Sequence, residues 1–481
     1  MPKLPLALLA LSLAAACSAP HGSAPRASSA AAPAGPAPRP NILFILADDL
    51  GWADVGFRGS DIRTPNIDAL ATGGVRFEQL YTQPFCTQTR AALMTGRYPL
   101  RYGLQTIVIP SASRYTLATD EYLLPQTLKD AGYATVMVGK WHIGHSDRAF
   151  WPEQRGFDYH YGMKIGEIDY FTHEAHGVVD WYRNDQPVVE EGYSTRLLGA
   201  DAVRQIEAHD KTRPLFMYLA FNAPHSPYQA PEDALARYAH IEDPTRRAYA
   251  AMVSEMDEQI GRVRDTLRAQ GMLDNTLIVF QSDNGAAASA MFAGEIDVSK
   301  LKLPCSNGPY REGKGTNYEG GTRVVACASW PGRIPAGSIV DEPIHMVDWY
   351  PTLVGLAGGS LAKTKPLDGV DQWPTITTGA ASARDEVVYN VETFGGALRE
   401  GDWKLVWKAT LPAKVELFDL ARDPYEKNDV SARNPKVVAR LQQRIQELAL
   451  ESQPALLLED VMNAAKSSLF GTPAFPDQDP H

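Results

Sequence analysis

The chain has 481 residues, 44% of them hydrophobic and 21% charged, with a formal charge of −11 at pH 7. That length exceeds one typical core and fits a large domain joined to a smaller one. With no basic block after the first few residues, the composition argues against nucleic acid and against broad capture of polyanions, so an anionic substrate needs a local cluster of cations.

The N-terminus reads as an export signal over residues 1–16. Lys3 precedes the apolar run "LPLALLALSLAAA", which is too short to span a bilayer, and Cys17 follows three alanines. Small residues before a cysteine resemble the bacterial lipobox, which makes Cys17 the lipidated first residue of the mature chain. A plain cleavable signal with an incidental cysteine is the alternative. Residues 17–40 are rich in Ala, Pro and Ser and hold no large apolar side chain, so they predict a disordered tether. The expected location is the periplasm or cell envelope, with the membrane touched only through this anchor. No later stretch is long and apolar enough for a transmembrane helix.

Strand-like and helix-like segments then alternate, which predicts an α/β fold with a large, mostly parallel sheet between helices. "NILFIL" (41–46), "ATVMVGK" (134–140), "PLFMYLAF" (214–221) and "TLIVFQSD" (276–283) are runs suited to strands buried on both faces. "YLLPQTLKDAGY" predicts a helix stopped by glycine. Tyr249, Met252, Val253, Met256, Ile260, Val263 and Leu267 recur at helical spacing and predict one stripe packed on the sheet. "TRVVACASW" gives a further strand and "IHMVDWYPTLVGLAG" a further helix. Near residue 376 the texture changes. "EVVYNVE", "GALREGDWKLVWK" and "KVELFDL" read as short hairpin strands, and "PKVVARLQQRIQELAL" as a helix. The expected organisation is a main domain over 41–375 and a smaller antiparallel sheet plus helix over 376–481, with the last twenty residues irregular. Four cysteines are few for an oxidising compartment, and Cys327 lies in an apolar strand, which favours free thiols at Cys305 and Cys327 over a disulfide.

In open α/β sheets, functional groups collect at the carboxyl ends of the strands. Four such ends here are polar: Asp48–Asp49, Lys140 with His142, His225 in "NAPHSP", and Asp283–Asn284. A lone Asp after a strand is usually a helix cap, but four strands ending this way exceed what capping needs. Asp48, Asp49, Asp283 and Asn284 offer only oxygen, which suits Ca²⁺ or Mg²⁺. Arg90, Lys140, His142, His225 and Lys314 offer charge or protons. Together the two sets fit a compact tetrahedral oxyanion, sulfate or phosphate. Cys86 stands where a helix begins near Thr87, so whatever replaces its side chain faces free N–H groups and the positive helix end.

These residues lie in blocks that resemble the sulfatase family of the alkaline phosphatase-like superfamily. "CTQTRAALMTGR" is similar to its signature, and "NILFILADDLGWADVGF", "GKWHIGH", "APHSP", "SDNG", "GKGTNYEGGTR", "LREGDWKL" and "LFDLARDPYEKND" resemble further blocks over roughly residues 40–450. "YTQPFCTQTR", "YPLRYGLQT" and "KPLDGVDQW" look closest to the arylsulfatase B, or N-acetylgalactosamine-4-sulfatase, type. The resemblance implies that Cys86 is oxidised to formylglycine by a maturation enzyme and becomes both nucleophile and metal ligand. It implies calcium ligands at Asp48, Asp49, Asp283 and Asn284, and Arg90 steadying the formylglycine. Lys140 and Lys314 would bind sulfate, His142 would deprotonate the formylglycine hydrate, and His225 would protonate the leaving alcohol. Gln88 departs from the signature, which carries proline there as part of what the maturation enzyme reads, and the folded pocket is expected to change little with it.

The implied activity is hydrolysis of a sulfated carbohydrate or aryl sulfate. A phosphonate or phosphate ester hydrolase is the enzymatic alternative, and a lipoprotein that binds sulfated glycan with Cys86 left as a thiol is the non-catalytic one. The aromatic segment 165–185 supplies Tyr170, His173, His176 and Trp181 as candidates for a substrate cleft.

Overall fold

The computed structural model describes residues 39–289 and 303–470. The export signal, Cys17 and the tether up to residue 38 lie outside them.

Ten strands form the main sheet: β1 (Asn41–Ala47), β2 (Val75–Phe77), β3 (Ala134–Gly139), β4 (Tyr159–Gly162), β5 (Tyr182–Arg183), β6 (Gln186–Pro187), β7 (Leu215–Ala220), β8 (Thr276–Ser282), β9 (Ala326–Ser329) and β10 (Ser338–Val340). Their order is β10-β2-β9-β8-β1-β7-β3-β4-β5-β6. The five central strands, β8 to β4, are all parallel, and antiparallel pairings at β8/β9, β9/β2, β4/β5 and β5/β6 mark the margins. Every residue of β7 and β8 is buried, as a parallel sheet covered on both faces requires.

Alternate side chains of β1 serve opposite faces. Leu43 and Ile45 meet the stripe of one helix, Pro244–Ala269, in which Tyr249, Met252, Val253, Met256, Ile260, Val263 and Leu267 are all buried as their spacing predicts. Asp243 caps that helix by accepting from the Thr245 and Arg246 N–H groups. Ile42, Phe44 and Leu46 meet the other layer, which includes Leu93, Leu124, Leu128, Trp349 and Leu353.

A second sheet, β11 (Glu386–Glu392), β12 (Gly395–Glu400), β13 (Trp403–Lys408) and β14 (Lys414–Asp419), is antiparallel throughout. Leu441, Ile445 and Leu448 of the helix Pro435–Leu450 pack on it. The tail corrects part of an expectation: residues 471–481 lie outside the described residues, but Leu456–Phe470 is helical, so residues 462–470 of the last twenty are not irregular. The run has no glycine or proline and is rich in leucine, alanine and other good helix formers, and the Leu456 N–H donates to Gly103 O at 2.9 Å. Cys305 and Cys327 are both free thiols. No helix of the described residues is long and apolar enough to cross a membrane.

The two sheets are joined by a buried ionic network. Lys404 of β13 lies 2.8 Å from both Glu319 and Glu426, and all three side chains are fully buried or nearly so. Tyr81 and Tyr389 donate to Glu319, and the Glu319 N–H donates to Glu426. Removing the ammonium leaves Glu426 facing the Glu319 carboxylate out of water, with Arg323 3.4 Å from Glu319 as that group's remaining ion pair. Lys404→Met is therefore expected to cost about 3–5 kcal/mol in denaturant unfolding. A cost below about 1 kcal/mol, the worth of a solvated pair, would show that the network does not bind the sheets together.

Candidate active site

The four polar strand ends meet because β8, β1, β7 and β3 are adjacent and parallel, which brings their carboxyl ends to one edge about 4.8 Å apart. Backbone bonds continue past the sheet and fix the residues that follow: Asp283 N–H to Ala47 O, Asp48 N–H to Ala223 O, and Lys140 N–H to Ala220 O. All ten site residues expected from the sequence come together here. Asp48, Lys140, Asp283 and Asn284 are wholly buried, and Arg90 and Cys86 nearly so.

Lys140 Nζ lies 2.5 Å from Asp48, Lys314 Nζ 2.8 Å from Asp49, and Arg90 Nη2 2.8 Å from Asp283 and 3.6 Å from Asp48. Burial alone would raise the Asp48 carboxyl, but Lys140, His225, Arg90 and Lys314 outweigh it and hold Asp48 far below the usual carboxylate range. Asp283 goes the other way: burial, then the neighbouring Asp48 charge, push it up to about 7 against Arg90. Two side-chain oxygens, Asp48 Oδ1 and Asn284 Oδ1, are buried with no hydrogen-bond partner among the described residues. Ligand atoms of Asp48, Cys86 and Asp283 lie within 4.8 Å of one another. Clustered hard oxygens, two of them unsatisfied, fit a divalent cation of the Ca²⁺ or Mg²⁺ type.

Cys86 is the first residue of the helix Cys86–Thr95, with extended Phe85 before it and Gly96, at φ 67°, ending it. The Thr89 hydroxyl accepts from the Gln83 N–H and so closes the entering turn. Burial pushes the Cys86 thiol up, against the pull of Lys140 and Lys314, so it is held as the thiol. His142 Nδ1 lies 3.4 Å from Cys86 Sγ, and its Nε2 lies 3.2 Å from the Ile109 carbonyl. A carbonyl only accepts, so Nε2 carries the hydrogen and Nδ1 turns a lone pair toward Cys86. Burial, with Lys140 and Arg90, keeps His142 well below the usual histidine range and hence neutral. His142 sits at φ 59° and Asp49 at φ 63°, a conformation non-glycine residues adopt rarely. A Cβ on Gly166 would lie 2.6 Å from the His142 ring, so the ring's place depends on that glycine.

His225 donates through Nδ1 to the Ser226 carbonyl at 2.6 Å, and its Nε2 accepts from Lys314 at 3.1 Å, with Asp49 3.6 Å away. Burial and then Lys314 lower its pKa. Cys86, His142, His225 and Lys314 line one cavity of about 360 Å³, walled by the loop 107–111 and Gly166.

Several residues of this site escape sequence reading. Thr87 Oγ1 donates to the His142 carbonyl and accepts from the Ile109 N–H. Gln88, fully buried, donates to the Gln105 carbonyl at 2.6 Å, and Asn390 donates to the same oxygen at 2.8 Å. Gln88 therefore anchors the start of the loop that walls the cavity, a role proline cannot fill. Three of the four cleft candidates of segment 165–185 are corrected. Tyr170, His173 and Trp181 are buried: Tyr170 OH lies 2.6 and 2.8 Å from the Asn222 and His225 carbonyls, and His173 stacks on Trp181. Only His176 lines the cavity. An aromatic-rich loop looks the same in sequence whether its rings face the core or a cleft.

The chain is similar to known proteins over most of its length. The Sulfatase family model matches residues 40–360. Arylsulfatase J of Mus musculus is 35% identical over 471 residues, covering 86% of this chain and 77% of that protein. N-acetylgalactosamine-6-sulfatase of Homo sapiens is 34% identical over 379 residues, covering 74% and 70%. The crystal structure of Ps i-CgsB in complex with k-i-k-neocarrahexaose is similar at TM-score 0.81 and 33% identity, covering 91% of this chain and 98% of that one. The chain belongs to the sulfatase family, enzymes that hydrolyse sulfate esters.

Proposed function

We propose that this sulfatase removes sulfate from a sulfated carbohydrate, through formylglycine made from Cys86 and a divalent metal held by Asp48, Asp49, Asp283 and Asn284, with calcium the first choice. The observation that carries the reading is the meeting of Cys86, at the head of a buried helix, with the Nδ1 lone pair of His142 on a floor of paired carboxylates and cations. A thiol held protonated is a poor nucleophile, which favours conversion of Cys86 over use of the thiol itself. Formylglycine at position 86 would supply a hydrated aldehyde as the nucleophile. A metal held by Asp48, Asp49, Asp283 and Asn284 would supply Lewis-acid positive charge to the site.

The chain's own side chains do the rest. Lys314, which lines the cavity, stabilises charge on the sulfate oxygens, and Lys140 supports that polarity from beneath through Asp48. Arg90 holds the Asp48 and Asp283 carboxylates beside position 86. His142 Nδ1 takes a proton from the position-86 side chain. His225 Nε2, which accepts from the Lys314 ammonium beside the cavity, passes a proton drawn from Lys314 to the leaving alcohol. A carbohydrate substrate is supported by the named activity of N-acetylgalactosamine-6-sulfatase and by the oligosaccharide bound to Ps i-CgsB. An aryl sulfate is the simpler alternative. Export and a lipid anchor at Cys17 belong to the same reading and rest on residues 1–17 alone.

Asp283→Ala is expected to lower turnover of nitrophenyl sulfate by about 100-fold or more. Chelation should remove bound metal, measured by elemental analysis, and lower the melting temperature, because only the folded chain holds the ion. An active enzyme with no bound metal would refute the metal assignment. Parallel turnover of nitrophenyl phosphate and phosphonate tests the phosphoryl-ester alternative.

Loss of a general acid hurts poor leaving groups most. His225→Ala should slow a sugar sulfate by about 10²–10⁴-fold and nitrophenyl sulfate far less, because nitrophenolate leaves without a proton. Equal losses on both substrates would take the acid role away from His225.

Gln88→Pro separates maturation from catalysis. The aldehyde fraction at position 86, read from the peptide mass and a hydrazine probe, should rise. Turnover per aldehyde should fall about tenfold, because the Gln105 anchor is lost from the cavity wall. An unchanged aldehyde fraction would remove residue 88 from the maturation step, and unchanged turnover per aldehyde would remove it from the wall.

A further inference from the structure

A second cavity, of about 490 Å³, adjoins the first and shares Ser111, Ile165 and His176 with it. Trp151, Lys164 and Tyr182 line its far side. His176 stands at the tip of a hairpin, between the short strands Glu174–Ala175 and Val178–Val179, and is exposed to both spaces. The feature that calls for an explanation is Lys164. Only 1% of its surface is exposed, yet Nζ makes no hydrogen bond among the described residues. Nζ lies between two rings, 2.9 Å from the Trp151 centroid and 3.2 Å from that of Tyr182. The nearby Asp180 carboxylate accepts through Oδ2 from the Lys164 and Ile165 backbone N–H groups.

A buried ammonium with three donors and no acceptor is costly, and aromatic faces answer its charge without filling its donors. Burial accordingly pushes Lys164 down to about 7, against the opposing pull of Glu153 and Asp180. A ligand oxyanion at Nζ would remove that cost. We propose that this second cavity holds the sugar unit next to the one being desulfated, and that Lys164 reads an oxyanion, sulfate ester or carboxylate, carried by that neighbouring unit. The proposal rests on the sulfated-carbohydrate reading above. It makes Lys164 a specificity determinant outside the reacting centre: the catalytic pocket has its own lining, which does not include Lys164.

The test compares Lys164→Met and Lys164→Arg with wild type on three probes. Nitrophenyl sulfate fills only the catalytic pocket. A carrageenan hexasaccharide with sulfate on adjacent units and a chondroitin sulfate oligosaccharide with uronate neighbours separate the two oxyanion sources. Lys164→Met should raise KM by about 10- to 100-fold on the oligosaccharide whose neighbour is read, the worth of one charge-assisted hydrogen bond. Its kcat there, and both constants on nitrophenyl sulfate, should stay within about twofold of wild type, the size of effect expected without a lost contact. Lys164→Arg should restore most of the KM. An equal loss on nitrophenyl sulfate would make Lys164 merely structural and overturn the proposal. An unchanged KM on every oligosaccharide, or turnover of nitrophenyl sulfate with no oligosaccharide accepted, would overturn it as well. Failure of wild type on every sulfate ester strikes the underlying substrate reading, and is seen before any variant is compared.

Discussion

The structure depends on the burial of three carboxylates against three fixed cations at one edge of a parallel sheet. Asp48, Asp49 and Asp283 face Lys140, Lys314 and Arg90, all but excluded from water. Any one of these charges alone would be prohibitive, and removing a single partner strands another. The parallel sheet makes the arrangement possible because it delivers four chain segments to one place in register. The carboxyl end of each strand then contributes a different side chain. Ladder-like backbone bonds beyond the strands hold those segments where the charges balance. With the formal charges cancelling, a divalent cation held there would leave the floor positive, which is the polarity that draws a sulfate ester.

The floor also reaches into the second sheet. Lys314 opens the segment "GKGTNYEGGTR", and Glu319 in the same segment is held by Lys404 of β13. Burial would raise Glu319, but Lys404 and Arg323 overcome it and bring it down to about 2, so it remains a carboxylate at neutral pH. The antiparallel sheet thus clamps the loop that carries one of the cations. Its contribution to the site is indirect, and it explains why a chain with its reacting groups on one sheet keeps a second.

Legibility in the sequence followed locality. The apolar runs of β1, β7 and β8, the buried stripe of Pro244–Ala269, and the polar residues ending each strand are signals carried within a few neighbouring positions. The helix at Leu456–Phe470 was equally local and was missed because its amphipathic pattern is weak. The rest was not local. Gln88 bonds to a carbonyl 17 positions away, Tyr170 OH to one 52 away, and Lys404 to a carboxylate 85 away. Nothing at either end of such a pair announces its partner. Trp181 and His173 show the same limit from the other side, since a stacked pair in the core has the composition of a sugar-binding cleft.

Floor and wall are held differently, and that difference bears on how such a site changes. Each floor cation is fixed by opposite charge and by backbone on several segments, so substitution there endangers the fold along with the chemistry. The wall is held by a few hydrogen bonds. Gln88 fixes Gln105, Thr87 fixes Ile109, and the Ile109 carbonyl in turn sets the His142 tautomer. Exposed positions such as Ser111 and His176 continue that wall toward the second cavity. Loss of one of these bonds costs about 1–3 kcal/mol, too little to unfold a domain of this size but enough to move a rate or a KM about 5- to 150-fold. Gln88 is an anchor of this kind, one hydrogen bond that ties the helix start to the folded wall. A site built this way keeps its reaction in the sheet and its selectivity in loops that tolerate substitution.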